Sequence, residues 1–97
     1  MAKGSTGDIA KPRFSAKVRL RFDRRTGRYL LLYPETGLEL NRSATEIAHR
    51  CTGEWTVNEM VEDLSRKHPE MSPANISRHV LVFLRSLADR GLLQGFK

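Results

Sequence analysis

The segment from residue 29 to residue 41 constrains the fold most, because it joins two strand-forming runs through a turn and ends at a helix start. The first run, Tyr29 to Tyr33, is an unbroken apolar stretch of five residues. Pro34, which lacks an N–H, and the permissive Gly37 predict a turn between the runs. The second run, Gly37 to Leu40, is short and is followed by helix, so its outer N–H and C=O groups would stay open to another backbone. The pattern predicts a peptide-binding sheet edge.

A half-buried strand with a basic outer face precedes this segment. From residue 17 to residue 22 apolar and basic side chains alternate strictly, which is the period of a strand. The apolar face holds Val18, Leu20 and Phe22, and the basic face holds Lys17, Arg19 and Arg21. Residues 23 to 27 predict a hairpin connection in which Gly27 takes a positive φ, so the chain returns antiparallel.

Three helices are predicted after the strands. Asn41 is a suitable N-cap for the first, and Thr56, with a glutamate three residues later, forms a capping box for the second. Ser72 followed by Pro73 opens the third and longest helix, which ends at Gly91. Strands followed by helices predict an α+β domain, with a three-stranded antiparallel sheet followed by a three-helix bundle on one side of it.

Length and charge set further limits. Ninety-seven residues suit one domain with a modest core. The polar, aperiodic residues 1–16 are predicted to be a flexible N-terminal arm on a folded domain of residues 17–97. Residues 1 to 28 hold nine basic and two acidic residues, a balance of +7, whereas the rest of the chain balances at −1. Such a field attracts nucleic acid, an anionic membrane surface or an acidic protein.

Catalytic and metal-binding patterns are missing from the sequence. Cys51 is the single cysteine, which excludes an intramolecular disulfide and a four-thiolate metal site, and it is expected to be a small apolar residue near a helix end. The three histidines have no metal-ligand spacing, and no phosphate loop or nucleophile elbow is present. We therefore expect no enzymatic activity, metal or cofactor. Without an apolar stretch that suits a signal peptide or a membrane span, the chain is expected to be soluble and cytoplasmic.

The third predicted helix is more apolar than one buried face requires. Beyond its core stripe, Leu81, Val82 and Ala88 widen the apolar arc. Two interpretations stay open for Leu81 and Val82: they lie under the sheet or the C-terminal segment, or they wall a groove beside the short strand. In the second, an extended peptide would bond to the strand and place alternate side chains against the helix.

A winged helix-turn-helix nucleic-acid-binding protein is the alternative interpretation. A helix, a turn and a further helix on a basic chain are compatible with docking in the DNA major groove. However, the helical portion has no positive net charge, and phosphate contacts around a reading helix need clustered basic residues. The sequence therefore favours a peptide over nucleic acid as the partner.

Short stretches between Pro12 and Leu93 stand in a specific order and spacing. They are Val18-Arg19-Leu20-Arg21-Phe22-Asp23, Leu31-Leu32-Tyr33-Pro34-Glu35, Leu38-Glu39-Leu40-Asn41, Gly53 before Trp55-Thr56-Val57, Phe83-Leu84 with Leu87, and Gly91-Leu92. Together they resemble the PqqD family, the small peptide chaperones of pyrroloquinoline quinone (PQQ) biosynthesis. The resemblance implies a winged-helix-like domain of the type called a RiPP recognition element, which binds the leader of a ribosomally made precursor peptide.

Carried over by position, the resemblance implies that the precursor peptide PqqA adds as a strand beside the short strand and packs against the third helix. The implied peptide-binding residues are Gly37, Leu38, Glu39, Leu40 and Asn41 on the strand and Ser77, Val80, Leu81, Leu84 and Arg85 on the helix. The resemblance also implies presentation of the peptide to PqqE, a radical S-adenosylmethionine enzyme. Glu39 is either a contact or a solubilising edge charge, and Arg42 and Arg85 are either peptide contacts or solvated charges.

The basic first hairpin is predicted to steer an acidic partner, for which PqqE is the candidate. The predicted partner-binding residues are Arg19, Arg21, Arg24 and Arg25. Charge complementarity of this kind raises encounter rates more than affinity. Neither nucleic acid nor membrane is expected as a partner. The open strand edge can also pair with a second copy of the chain, so the sequence allows both a monomer and a homodimer.

Overall fold

The computed structural model describes residues 10–34 and 36–96, which contain five strands and three helices. The strands are β1 (Arg13–Phe14), β2 (Arg19–Asp23), β3 (Arg28–Tyr33), β4 (Thr36–Leu40) and β5 (Leu93–Gln94), and the helices are α1 (Arg42–Ala48), α2 (Val57–Lys67) and α3 (Pro73–Asp89). The predicted order of three strands and then three helices is confirmed for β2 to α3. The short strands β1 and β5 are an addition that sequence analysis did not predict.

Strands β2, β3 and β4 form an antiparallel sheet in that order, so β2 and β4 are its two edges. Leu31 in the central strand lies between Leu20 and Leu38, and its side chain is completely buried against the helices. Because side chains alternate along a strand, Leu30 and its partners lie on the opposite face, away from this core. The sheet therefore has one core face and one outer face.

Capping side chains determine where the helices begin. Asn41 and Ser72 each accept, through a side-chain oxygen, a backbone N–H from the first turn of α1 and α3, at 2.8 and 3.2 Å. At the start of α2, Thr56 Oγ1 accepts the N–H of Glu59 at 3.0 Å, and Glu59 Oε1 accepts the N–H of Thr56 at 2.8 Å. All three predicted N-caps are confirmed, and each satisfies a backbone donor that the helix itself cannot pair.

Residues 10–16 differ from the predicted arm. Strand β1 pairs antiparallel with β5, and Pro12 is completely buried. Gly95 permits this close approach, because it has a φ of +75° and a Cβ there would lie 2.7 Å from the carbonyl oxygen of Lys11. Within the described chain, packed structure thus begins before the predicted boundary at residue 17. The remainder of the predicted arm, residues 1–9, lies outside the described residues.

Candidate functional site

Strand β4 offers an open backbone edge whose outward groups follow from its register. Tyr33 pairs with Thr36 across a two-residue connection, and such a closing pair exchanges its hydrogen bonds. Because bonded and non-bonded pairs alternate in an antiparallel ladder, Leu38 also bonds to β3, whereas the N–H and C=O groups of Gly37 and Glu39 point away from it. Among the described strands β4 has no neighbour on that side. The edge can therefore accept another strand.

The side chains of β4 alternate as predicted. Leu38 is half-buried and Leu40 is buried, both on the core face. Glu39 is exposed on the outer face, where its Oε2 atom lies 3.6 Å from Nε of Arg28. This ion pair gives Glu39 a partner within the chain, which favours its interpretation as a charge on the sheet surface.

A groove begins where β4 ends. It has a volume of about 570 Å³ and lies between the first turn of α1 and one side of α3. Its lining residues are Asn41, Ser43, Ala44 and Ile47 on the α1 side and Arg78, His79, Val82, Phe83 and Ser86 on α3. Val82 is 63 % exposed, whereas Phe83 is half-buried against the core. The groove thus has an apolar wall that is open to solvent beside the free strand edge.

The structure places the predicted α3 residues differently from this wall. Val80 and Leu84 are completely buried in the core. The other three predicted residues, Ser77, Leu81 and Arg85, line a neighbouring concavity of α3. This concavity shares Arg78, Val82 and Ser86 with the groove. At 3.6 residues per turn, Leu81 and Phe83 point in nearly opposite directions, so they cannot line the same groove. Of the two residues predicted to wall a groove, Val82 lines this one and Leu81 does not, while Leu84 is buried. Which α3 side chains contact a peptide stays a prediction.

The α3 residues that sequence analysis missed form one strip of the helix. His79, Phe83 and Ser86 are spaced by four and three residues, which brings them to the same side. This spacing is visible in the sequence. The sequence does not show which side of α3 faces α1, because that depends on how the helix rotates when its core stripe packs.

A second concavity continues from the groove around α1. It shares Asn41, Ser43, Ile47 and His79 with the groove and has a volume of about 430 Å³. Its floor is apolar, and its rim carries a hydrogen bond between His68 Nε2 and Glu46 Oε1 at 2.8 Å. The two concavities together form a continuous path from the strand edge to the connection between α2 and α3.

Metal chemistry has no support in the residues described. Across residues 10–34 and 36–96, no three histidine, cysteine or carboxylate side chains converge as a metal site would require. The thiol of Cys51 is buried, and this burial raises its pKa to about 12. None of the helices in the described chain combines the length and the hydropathy needed to cross a bilayer.

Comparison with known proteins identifies the family. The family model described as coenzyme PQQ synthesis protein D (PqqD) matches residues 28–93. The chain belongs to the PqqD family. A PqqA binding protein of Rhodopseudomonas palustris, one of its PqqD relatives, is 33 % identical over 89 residues, covering 92 % of this chain and 86 % of the relative. The family resemblance found in the sequence is thus confirmed.

Solved structures agree with the PqqD fold. The PqqD part of Methylobacterium extorquens PqqCD, described as a functional and stand-alone RiPP recognition element, matches with a TM-score of 0.73 and 31 % identity over 86 % of this chain and 87 % of that one. A lasso peptide synthetase B1 complexed with the leader peptide matches with a TM-score of 0.75, covering 88 % of this chain and 99 % of that one, at 18 % identity. The second likeness shows the fold alone. The predicted fold class is confirmed.

Proposed function

We propose that this chain is a peptide chaperone of PQQ biosynthesis. It binds the precursor peptide PqqA by strand addition at β4 and presents it to the radical S-adenosylmethionine enzyme PqqE in the cytoplasm. The observation that carries the proposal is the open edge at Gly37 and Glu39, which leads into the groove walled by Val82 and Phe83. Membership of the PqqD family supports PqqA as the peptide, because the Rhodopseudomonas palustris relative is named a PqqA binding protein.

In strand addition, backbone hydrogen bonds supply affinity and side-chain contacts supply selectivity. The peptide backbone bonds to the outward groups of Gly37 and Glu39, which any peptide sequence except proline can do. Alternate peptide side chains then face the core side of the sheet and enter the groove against Val82 and Phe83, so apolar side chains are preferred there. Capture and presentation in this manner need no catalytic group.

The second sheet edge, β2, is less suited to the peptide. Arg19 and Arg21 flank it, and charged side chains on an edge strand oppose pairing with another strand. The depression beside β2, lined by residues that include Leu30 and Leu32, opens on the outer face of the sheet. Of the two edges of this sheet in the described chain, β4 is therefore the one that combines open backbone groups with the groove beside α3.

An NMR titration of isotope-labelled protein with PqqA peptide tests the proposal. We expect amide shifts concentrated at Gly37 to Asn41 and along the groove strip of α3, around Val82 and Phe83. A random DNA duplex is the control for the alternative nucleic-acid function. Shifts caused by the duplex alone, centred on the arginines and falling steeply with salt, would replace the chaperone by a winged-helix nucleic-acid binder.

A further inference from the structure

The outer face of the three-stranded sheet is both apolar and basic. The strand register sets two rows of side chains across all three strands, Arg19 with Leu32 and Gly37, and Arg21 with Leu30 and Glu39. A third pair on this face, Asp23 with Arg28, joins β2 and β3 alone. Leu30 and Leu32 lie on this face half-buried and outside the hydrophobic core cluster. The centre of the face is therefore apolar, and its β2 side is basic.

The charges on this face are not balanced. Both of its carboxylates already have partners, since Glu39 lies 3.6 Å from Arg28 and Asp23 lies 3.9 Å from Arg25. No ion pair connects Arg19 or Arg21 to any acidic side chain in the described part of the chain. Two guanidinium groups consequently stand beside an apolar centre without a carboxylate of their own, which is complementary to an acidic surface.

The shape of the outer face suits contact with another protein. Gly37 has no side chain to cover Leu32, whose Cδ2 atom lies 3.3 Å from the position that a Cβ at Gly37 would take. A depression of about 220 Å³ opens beside the leucines and is also lined by Arg21, Phe22, Asp23 and Arg25. Apolar side chains between arginines are typical of protein interfaces, whereas a phosphate backbone gains nothing from the two leucines.

We propose that this outer face docks an acidic, partly apolar surface of the partner enzyme, and that the hairpin tip does not. At the tip, Nε of Arg25 lies 3.9 Å from Oδ1 of Asp23, and 92 % of the Arg25 side chain is exposed. A contact there would be worth little, because solvent screens exposed charges. Arg19 and Arg21 are also exposed in the free protein, but the leucines beside them add an apolar area from which a docked partner would exclude water.

The inference rests on the proposed function and deepens it, since a peptide strand added beside β4 extends the same sheet. Every second peptide side chain would then join the outer rows next to Gly37 and Glu39, while the others enter the groove. The groove and the docked enzyme thus contact alternate residues of the peptide. The enzyme receives a peptide strand in one fixed orientation and with half of its side chains accessible.

A charge-reversal pair tests the docking face. We compare R19E/R21E with the matched control R66E/K67E, which makes the same change of net charge at the end of α2. Binding of PqqE and binding of PqqA are measured separately by calorimetry, after circular dichroism has shown that each variant is folded. We expect R19E/R21E to weaken PqqE binding at least about tenfold and to leave PqqA affinity unchanged, while the control changes neither.

An uncharged substitution distinguishes direct contact with the enzyme from electrostatic steering. Leu30→Gln removes part of the apolar centre without changing charge, and we expect it to weaken PqqE binding severalfold through faster dissociation. Three results would each overturn the docking face if peptide binding persists. They are unchanged PqqE binding in R19E/R21E, an equal loss of PqqE binding in R66E/K67E, and no PqqE binding by the unaltered protein. The docking face would also be overturned if the protein bound a DNA duplex and R19E/R21E abolished that binding while PqqE binding stayed intact. Loss of PqqA binding by the unaltered protein would instead refute the proposed function.

Discussion

Arg50 holds Asp63 through two hydrogen bonds to the same carboxylate oxygen, from Nε at 3.1 Å and from Nη2 at 2.6 Å. The Nη1 atom of Arg50 also donates to the carbonyl of Glu46 at 2.6 Å, and the guanidinium lies 5.4 Å from the centre of the Trp55 ring. These contacts connect the end of α1 to α2. They thereby fix the helix whose first turn forms one wall of the groove.

Asp63→Asn should lower the free energy of unfolding by about 2 kcal/mol, because it leaves the largely buried Arg50 without a carboxylate. Urea unfolding at pH 7 measures this change. Glu62→Gln, at the exposed neighbouring position, is the control and should change stability by less than about 0.5 kcal/mol. Equal effects of the two variants would show that the Arg50 contact adds nothing specific.

The stabilisation that Asp63 contributes should decrease at low pH. The hydrogen bond from Arg50 lowers the pKa of Asp63, so the folded protein binds this proton at lower pH than the unfolded chain. The contribution is complete above the unfolded-state pKa of about 3.9 and is lost as the pH falls through the lower folded-state pKa. The stability difference between the unaltered protein and Asp63→Asn should therefore shrink as the pH falls below the unfolded-state pKa of about 3.9. A constant difference would contradict this assignment.

Glu39→Pro should abolish strand addition and leave the fold intact. Proline removes one of the outward N–H groups, and an edge strand tolerates proline where its N–H faces solvent. Glu39→Thr is the matched control, because it also removes the carboxylate but keeps the N–H. We expect PqqA affinity to fall at least about tenfold in the proline variant and to change little in the threonine variant. Equal losses would assign the effect to the carboxylate instead of the backbone.

Val82→Glu should weaken PqqA binding more than Leu81→Glu does. Both side chains are exposed, at 63 % and 37 %, so neither change should unfold the protein. Of the two, only Val82 lines the groove beside α1. Loss of its apolar contact and burial of a charge should cost at least about 1.4 kcal/mol, or tenfold in affinity. A larger effect at Leu81 would return the peptide to the side of α3 predicted from sequence.

Cys51 should be inert in the folded protein. Its pKa of about 12 leaves very little thiolate at neutral pH, and its side chain is buried among apolar residues. Alkylation by iodoacetamide at pH 8 should follow unfolding and accelerate in parallel with increasing urea. Rapid labelling of the native protein would show that this part of the core opens.

Gly95→Ala should release the β1–β5 pairing, whereas Gly91→Ala should not. Both glycines have a φ of +75°, so alanine carries the same backbone cost of about 1–2 kcal/mol at each. Only at Gly95 does the new Cβ meet a backbone atom, the carbonyl oxygen of Lys11 at 2.7 Å. Hydrogen exchange at Arg13 and Phe14 reports the difference. Equal protection in both variants would show that the tail adapts to the extra carbon.

Local signals were sufficient to predict strands β2 to β4 and the three helices. The caps at Asn41, Thr56 and Ser72 depend on hydrogen bonds to backbone groups within four residues, so the sequence determines them without tertiary information. The alternation of β2 and the core stripe of α3 are equally local. By contrast, the pairing of Arg13 with Gln94 joins opposite ends of the chain, and two-residue strands have no period to detect.

The candidate site was only half predictable, for a geometric reason. The edge from Gly37 to Asn41 follows from strand order, which the sequence indicates. The groove wall depends on the rotation of α3 about its axis, and that rotation is determined by how Val80 and Leu84 pack against other elements. Val82 and Leu81 are adjacent in sequence and both exposed, so apolarity alone could not choose between them.

Asn41 joins the strand edge to the groove, and both of its oxygen atoms already accept hydrogen bonds in the free protein. Its Oδ1 atom accepts from the N–H of Ala44 and the hydroxyl of Ser43, and its carbonyl accepts from the N–H and the hydroxyl of Thr45. The conformational entropy of this junction is therefore lost during folding and is not lost again on binding. Most of the ordering cost of association falls on the peptide, so a leader that is already extended in solution would bind more tightly through the same contacts.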